Sequence, residues 1–421
     1  MFSTVLKEIT GYFGKSFLVS VFFPSLFFWM LNLALGVLSV GLKKSLGWWD
    51  GLNGQVQGFL IVAFFVWVLF TAYVLHIFMD GLIKFYEGRW GFFKFIPAAM
   101  KKRNERKWKA LRTHDEALSE QIRALKARQE ALEQLLDRDV PPLPDRTRVD
   151  VSATAQEAAA LYDQVRDWTA EDYLDDTKWK EMEDQLSSLQ THILALSEDD
   201  LEQHRVALGP GSKADLIFRA PYDFLTNLID QLEQDRLAIY QEWSVAFPAR
   251  LSWVKPTRLG NHLRAAETYP FLRYNLDAAV IWPRLREALP DKFAGRLGEA
   301  KMNMDLMLVL TTLALVFGIV WGGVFLAVPD ASLALYKWVA APISFLVSMG
   351  IARVAYLNAA ESALSYGELL KTAFDLYRWE ALKALHLDPP PDLEGEKELW
   401  GEIGGLLYRN YPLKTPWKHP S

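Results

Sequence analysis

Long stretches without a charged residue constrain this chain more than any other feature. Residues 16–40, 58–79 and 306–328 contain no Asp, Glu, Lys or Arg. A helix needs about 20 apolar residues to cross the hydrocarbon core of a bilayer. We therefore predict a transmembrane helix in each of these three stretches.

A fourth candidate span is less regular. Residues 338–352 are uncharged, and Lys337 and Arg353 lie near the two ends, where long side chains reach the lipid headgroups. Together with the apolar residues before it, this stretch predicts a span over about residues 331–353. The four spans form two pairs in a 2+2 order, with a long polar segment between the pairs.

The first stretch has one alternative interpretation, a cleaved signal peptide. Its apolar run is longer than the core of a typical signal peptide, and no A-x-A cleavage site follows it. We therefore expect a span. Residues 1–15 place their apolar side chains on one helical face, which predicts a short helix lying in the membrane interface.

Basic residues after the second span predict the orientation. Ten lie close together: Lys84, Arg89, Lys94, Lys101, Lys102, Arg103, Arg106, Lys107, Lys109 and Arg112. Because basic residues accumulate on the cytoplasmic side, we expect the long central segment and both termini in the cytoplasm. A nucleic-acid patch is the alternative, but attraction to anionic lipid explains these charges with fewer assumptions. The net charge of −5 gives no basic excess for phosphates, so no nucleic acid is expected as a partner.

Two heptad-like stripes mark the central segment as helical and partly coiled. In each, apolar residues recur in steps of three and four. The first stripe has two polar interruptions, Asp115 and Gln129. These stripes pair either with each other in one chain or across subunits. The members are Leu111, Asp115, Leu118, Ile122, Leu125, Gln129, Leu132 and Leu136, then Trp179, Met182, Leu186, Leu189, Ile193 and Leu196.

An arginine-rich segment follows at residues 256–285. Arg258, Arg264, Arg273 and Arg284 are candidates for binding an anionic ligand or a lipid headgroup, because guanidinium groups match phosphate geometry. The alternative is a membrane-proximal helical bundle held by Arg–carboxylate pairs. Arg273 and Asp277 are four residues apart, which predicts such a pair on one helix.

Charged and titratable residues at the predicted inner boundary form a second candidate site. His76, Asp80, Asp305 and Arg353 lie at the ends of three different spans. They predict an inner gate or selectivity ring, with Arg353 paired to Asp80 or Asp305. Ordinary boundary charges at the headgroups are the alternative.

The sequence after Arg353 predicts one long helix that continues the fourth span and stops before Pro389. Five alanines on it would let a neighbouring helix approach closely: Ala352, Ala355, Ala359, Ala360 and Ala363. A final amphipathic helix is predicted from Leu393, Trp400, Ile403 and Leu407.

Catalytic signatures are missing from the sequence. It contains no H-E-x-x-H, no G-x-S-x-G and no cysteine. Two acidic clusters follow the cap-like residues Thr169 and Ser197, where carboxylates complement a helix dipole. We therefore predict no enzyme activity, no cofactor and no metal site.

These patterns predict an all-α integral membrane protein with four transmembrane helices (2+2) and an inserted helical, partly coiled-coil cytoplasmic domain. The inner (plasma) membrane of a bacterium is the expected location. The expected divisions are 1–98 (interfacial helix and first hairpin), 99–300 (cytoplasmic domain), 301–388 (second hairpin with a helical extension) and 389–421 (C-terminal helix and tail).

Two functions of different kinds agree with these expectations, and a membrane enzyme without a recognisable catalytic motif is a third alternative. One is a homo-oligomeric channel or pore-type effector that is gated by its cytoplasmic helical domain. The other is a membrane-anchored scaffold or signalling protein that recruits a cytoplasmic partner through its coiled helices. The expected partners are the lipid bilayer, anionic lipid headgroups, further copies of the chain and a cytoplasmic protein.

Overall fold

A computed structural model describes residues 14–90, 95–136, 150–196, 198–209, 211–327 and 334–414. It is all-helical, as predicted, with 87% helix and no strand in these ranges. Its helices are α1 (Lys15–Val40), α2 (Leu42–Asp50), α3 (Gly54–Ile77), α4 (Met79–Tyr86), α5 (Phe95–Leu136), α6 (Val151–Val165), α7 (Ala170–Leu174), α8 (Asp176–Leu194), α9 (Glu198–Gln203), α10 (Arg205–Leu208), α11 (Lys213–Ala246), α12 (Arg258–Tyr274), α13 (Ala278–Glu287), α14 (Asp291–Ala327), α15 (Ala334–Ala384) and α16 (Leu393–Arg409).

Four helices are long and apolar enough to cross a membrane, as the sequence predicted. They are α1, α3, α14 and, within α15, the stretch Ala341–Ala384.

α1 contains a π-helical turn at Leu18–Phe22. Pro24 has no N–H for the Ser20 carbonyl four residues earlier, so the regular hydrogen-bond ladder is interrupted there. Residues 1–13 of the predicted interfacial helix and Ser197 fall outside the described residues.

The chain divides into two compact units, residues 1–107 with 244–421, and residues 108–243. The first unit contains the four candidate spans, and α14 packs along α15 for much of its length. All five alanines of the predicted close-approach face are buried, Ala359, Ala360 and Ala363 completely. α15 is one continuous helix that ends before Pro389, so both predictions about it are confirmed.

A second core in this unit joins α12, α13 and α16 to the distal part of α15. Phe374, Leu382 and Trp400 are almost fully buried in it, with Leu276 and Ile281. α16 contributes Leu399, Trp400 and Ile403. Of its predicted amphipathic face, Trp400 and Ile403 are buried and Leu407 packs against the core, whereas Leu393 is exposed.

The unit 108–243 has its own hydrophobic core, formed by α5, α6, α8 and α11. Leu125 and Leu132 from the first stripe and Met182 and Leu186 from the second are buried together in it. Both stripes therefore contribute to one core within a single chain. The polar interruptions are also satisfied there: Arg236 Nε donates to Asp115 Oδ1 at 3.0 Å, and Gln129 Nε2 donates to Thr226 Oγ1 at 2.8 Å.

The predicted pairing of Arg273 with Asp277 on one helix is wrong. α12 ends at Tyr274, because Asn275 adopts the left-handed conformation (φ 56°) that commonly terminates helices. Asp277 instead caps α13, and its carboxylate accepts a hydrogen bond from the Ala279 amide at 2.9 Å.

Candidate functional sites near the ends of the spans

The four residues of the predicted inner gate differ in their burial and in their ion-pair partners. Asp305 is buried, and its Oδ2 accepts a hydrogen bond from Lys301 Nζ at 2.8 Å. His76 and Asp80 are electrostatic neighbours of Asp305. Arg353 is exposed, and no carboxylate of the described residues lies within 4.0 Å of it. The described structure therefore pairs Asp305 with Lys301 on its own helix and not with Arg353.

The sequence contains a local signal for this pair. Lys301 lies four residues before Asp305, and side chains at this spacing face each other on a helix. Asp305 is buried whereas Lys301 is partly exposed, and only the tertiary structure shows that burial.

The four arginines of the predicted anion patch have four different local environments. Arg258 forms an ion pair with Glu361. Arg273 lies over the rings of Tyr269 and Tyr274, at 5.8 and 5.7 Å from their centroids. Arg284 Nη1 donates to the Val280 carbonyl at 2.8 Å on its own helix. Arg258 and Arg273 are both exposed, and of these contacts only the Arg258–Glu361 pair is of the Arg–carboxylate kind that the bundle alternative describes.

Arg264 differs from the other three because it lines a cavity with three further basic residues, Arg89, Lys101 and Lys255. We call this space the basic cavity. Sequence reasoning did not connect these residues, since they come from three separate parts of the chain. Their proximity depends on the packing of α12 against the turn that follows α4.

A polar network joins α12, α15 and α16 in the same unit. The Tyr269 hydroxyl donates to both carboxylate oxygens of Asp375 at 3.0 and 2.9 Å, and the Tyr274 hydroxyl donates to Oδ1 at 2.6 Å. One turn further, Arg378 Nε and Nη2 donate to the two carboxylate oxygens of Glu396 at 2.6 and 3.3 Å. This two-point geometry fixes orientation as well as charge.

Burial and charge change the pKa values in this network. Burial and the hydrogen bond to Asp375 raise the pKa of Tyr269 to about 12, so its hydroxyl stays a donor at neutral pH. Burial acts against ionisation of Glu396, but hydrogen bonds from Arg378, Trp400 and Trp379 outweigh it and lower its pKa. Glu396 is therefore ionised and paired with Arg378, and the tyrosine hydroxyls hold Asp375, which suits a structural joint between the three helices.

The unit 108–243 contains an aromatic cavity of about 210 Å³. Tyr173 stacks on Phe224 with 5.0 Å between ring centroids, and Trp168 meets Tyr173 edge-on at 5.2 Å. Tyr162 and Ile217 also line it.

In the acidic clusters, the predicted cap of α7 is present, with Thr169 and Asp172 in a reciprocal capping box. No group of three or more His, Asp or Glu within the described ranges has an arrangement that would hold a metal ion.

Comparison with known proteins gives no relative: no protein-family model, curated protein or solved structure matches this chain.

Proposed function

We propose that the protein is an integral membrane protein of four spans that acts as a signalling or scaffolding protein, with residues 108–243 as the module that recruits a protein partner. One observation carries this choice. Across residues 23–38, 58–75, 306–327 and 341–352 of the candidate spans, the large exposed side chains are apolar or aromatic, among them Phe27, Phe65, Ile319 and Leu346. Such a surface suits contact with lipid.

Hydrogen bonds join the spans inside the bundle of one chain, although Ser25 Oγ and Asp305 Oδ1 are buried without a hydrogen-bond partner among the described residues. Trp321 Nε1 donates to Asn32 Oδ1 at 2.8 Å, which joins α14 to α1. Trp29 Nε1 donates to Thr71 Oγ1 at 3.0 Å, which joins α1 to α3. Because these groups already have partners, they supply little polar surface for a pore between copies of the chain. This favours the signalling or scaffolding function over the channel.

Helix continuity supplies a route between the spans and the C-terminal core. α14 and α15 both extend past the ends of their apolar stretches, and α15 carries Asp375 and Arg378 of the polar network. A displacement of α16 would therefore act on a helix that also forms a span. The basic residues after α4 support a cytoplasmic position for this core and for both termini.

A homo-oligomeric channel is the second candidate function. His76 and Asp80 near the buried Asp305 favour it, because charged and titratable groups at the end of a span bundle are suited to an ion pathway. The two candidates differ in oligomeric state and in ion flux, so both can be tested on the same purified protein.

The experiment combines flux with site-specific crosslinking of the full chain. A signalling or scaffolding protein should give liposomes no ion flux above protein-free vesicles. In cells, a photoreactive phenylalanine analogue at Phe224, which lines the aromatic cavity, should form a discrete hetero-adduct. The same analogue at Asp184, exposed on α8 outside the cavity, is the control and should not. Flux that is lost in Asp305→Asn, together with a discrete oligomer of three or more chains, would favour the channel instead.

A further inference from the structure

The basic cavity is a small, partly open space of about 270 Å³ in the unit that contains the spans. It lies between the turn after α4 and the segment that precedes α12. Its basic lining residues are Arg89, Lys101, Lys255 and Arg264, and Glu87 is the one acidic residue among the lining positions. Glu105 and Glu267 lie beside Lys101 and Arg264 just outside the lining, so the four cations exceed the neighbouring carboxylates by one charge.

Three of the four cations have carboxylate neighbours. Arg89 Nε lies 2.9 Å from Glu87 Oε2, Arg264 Nη1 lies 3.3 Å from Glu267 Oε2, and Lys101 Nζ lies 3.8 Å from Glu105 Oε1. Lys255 differs, because no carboxylate of the described residues lies within 4.0 Å of its ammonium group. This half-buried cation is therefore available to an outside anion.

The electrostatic environment of Lys255 also favours the binding of an anion. Burial, and then the positive charges of Arg89 and Arg264, lower the pKa of Lys255. The cavity thus holds like charges closer together than water alone would favour. A bound anion would relieve that repulsion.

The wall of the cavity is rigid before any ligand binds. Asn104 Nδ2 donates to the carbonyls of Lys255 and Pro256, both at 2.9 Å. Asn261 holds the same segment from the other side, accepting from the Lys255 amide at 2.6 Å and donating to its carbonyl at 3.1 Å. Gly88 (φ 91°) fits against Pro256 so closely that any side chain there would clash. A preorganised wall spares a ligand the cost of ordering it.

The cavity begins beside the ends of the candidate spans. Tyr86, directly before the turn, hydrogen-bonds Thr312 of α14 at 3.1 Å, and its ring lies against Tyr356 of α15. Trp253 lines the cavity, with the Arg250 and Arg264 guanidinium groups at 4.7 and 5.6 Å from its ring. Tryptophan and basic side chains together are typical of the headgroup level of a membrane.

We propose that the basic cavity binds a phosphate group, carried by an anionic phospholipid headgroup or present as a free phosphate ion, with Lys255 and Arg264 as its principal ligands. The volume is at the small end for ligand pockets, which span about 300–1,000 Å³, and so suits a single headgroup or ion. Arg264 supplies a fork for two phosphate oxygens, and Lys255 supplies a point charge. This site does not depend on the proposed signalling or scaffolding function.

The test uses the full-length protein in detergent and two probes, phosphatidylglycerol and inorganic phosphate. Lipid binding is followed by native mass spectrometry, with phosphatidylcholine of the same acyl chains as the neutral reference, and phosphate binding by titration calorimetry. The cavity variant is Lys255→Gln with Arg264→Gln. The matched control is Arg284→Gln with Lys292→Gln, which removes two exposed cations of the same unit.

We expect wild type and control to bind one probe, and the cavity variant to bind it about tenfold more weakly or worse, since each charge-assisted hydrogen bond is lost. If the cavity variant loses affinity for phosphatidylglycerol, the ligand is a lipid headgroup. If it loses affinity for inorganic phosphate alone, the ligand is the free ion. Lys255→Arg keeps the charge and should retain binding, which separates recognition from misfolding. Equal affinities of wild type, cavity variant and control for both probes would overturn the proposal.

Discussion

Gly318 of α14 lies so close to Ser348 of α15 that a Cβ atom on Gly318 would come within 2.7 Å of the Ser348 Cβ. Real Cβ atoms essentially never approach a neighbour this closely. One turn further along α14, a Cβ on Gly322 would meet the Phe345 Cβ at an ordinary 3.8 Å. The missing side chain of Gly318 therefore sets the distance between the two helices, as small residues do between helices in membranes.

Gly318→Ala should lower the stability of the span pair by about 1–3 kcal/mol, because the added methyl group forces two packed backbones apart. Gly323→Ala is the matched control on the same helix, since a Cβ there has no neighbour within 4 Å. Thermal unfolding of the detergent-solubilised protein measures both variants. Equal melting temperatures for the two would contradict the contact.

Arg378→Met should destabilise the C-terminal core by about 3–5 kcal/mol. Its side chain and that of Glu396 are only 13% and 6% exposed, and removal of one partner leaves a buried charge without compensation. Lys383 and Glu380 form the matched pair, 2.8 Å apart but largely exposed, so Glu380→Gln should cost less than about 0.5 kcal/mol. Denaturant unfolding compares the two variants, and a similar loss in both would contradict this account.

His262 should make stability depend on pH. Its ring is buried, its Nδ1 donates to the Ala360 carbonyl at 2.8 Å, and burial lowers its pKa below the ordinary 6.5. Arg258 and Lys371 also lower this pKa, and the hydrogen bond to Ala360 and the charge of Glu361 oppose them without cancelling the effect of burial. The unfolded chain therefore binds the proton more readily, so stability is complete above about pH 6.5 and falls as the pH drops below that value.

The measurement is the pH dependence of thermal unfolding in wild type and His262→Gln. We expect a shallower decline below pH 6.5 in the variant, whatever its absolute stability. His114→Gln, at an exposed histidine of the other unit, is the control. A wild-type profile that is flat from neutral pH down to pH 5 would contradict the role of His262.

The four-span topology predicts opposite labelling of two positions. The chain has no cysteine, so Trp48→Cys and Val206→Cys each introduce a single thiol, at side chains that are 62% and 97% exposed. In intact cells, a membrane-impermeant maleimide should label the first variant. The second should react only after the membrane is opened. Labelling of both in intact cells would contradict the 2+2 arrangement, and the reverse pattern would contradict the orientation.

Residue patterns along single helices were sufficient to predict much of the fold. The candidate spans, the length of α15 and its buried alanines all follow from the spacing of apolar and small residues, which is a local property of a helix. The Arg273–Asp277 pairing failed for a local reason too. The spacing of four holds only inside one helix, and the left-handed Asn275 ends α12 between the two residues.

The candidate sites depended on contacts between distant parts of the chain. Asp375 receives hydrogen bonds from tyrosines about a hundred residues away, and Lys255 meets Arg89 only because Asn104 and Asn261 hold its segment in place. The order of charged residues along the chain does not show which side chains become buried together in the folded protein. The sequence alone determined helical periodicity and membrane-length apolar segments, because these need only neighbours along the chain. The tertiary structure decided which polar groups pair and which cavity carries excess charge, because these require helices from separate segments to pack.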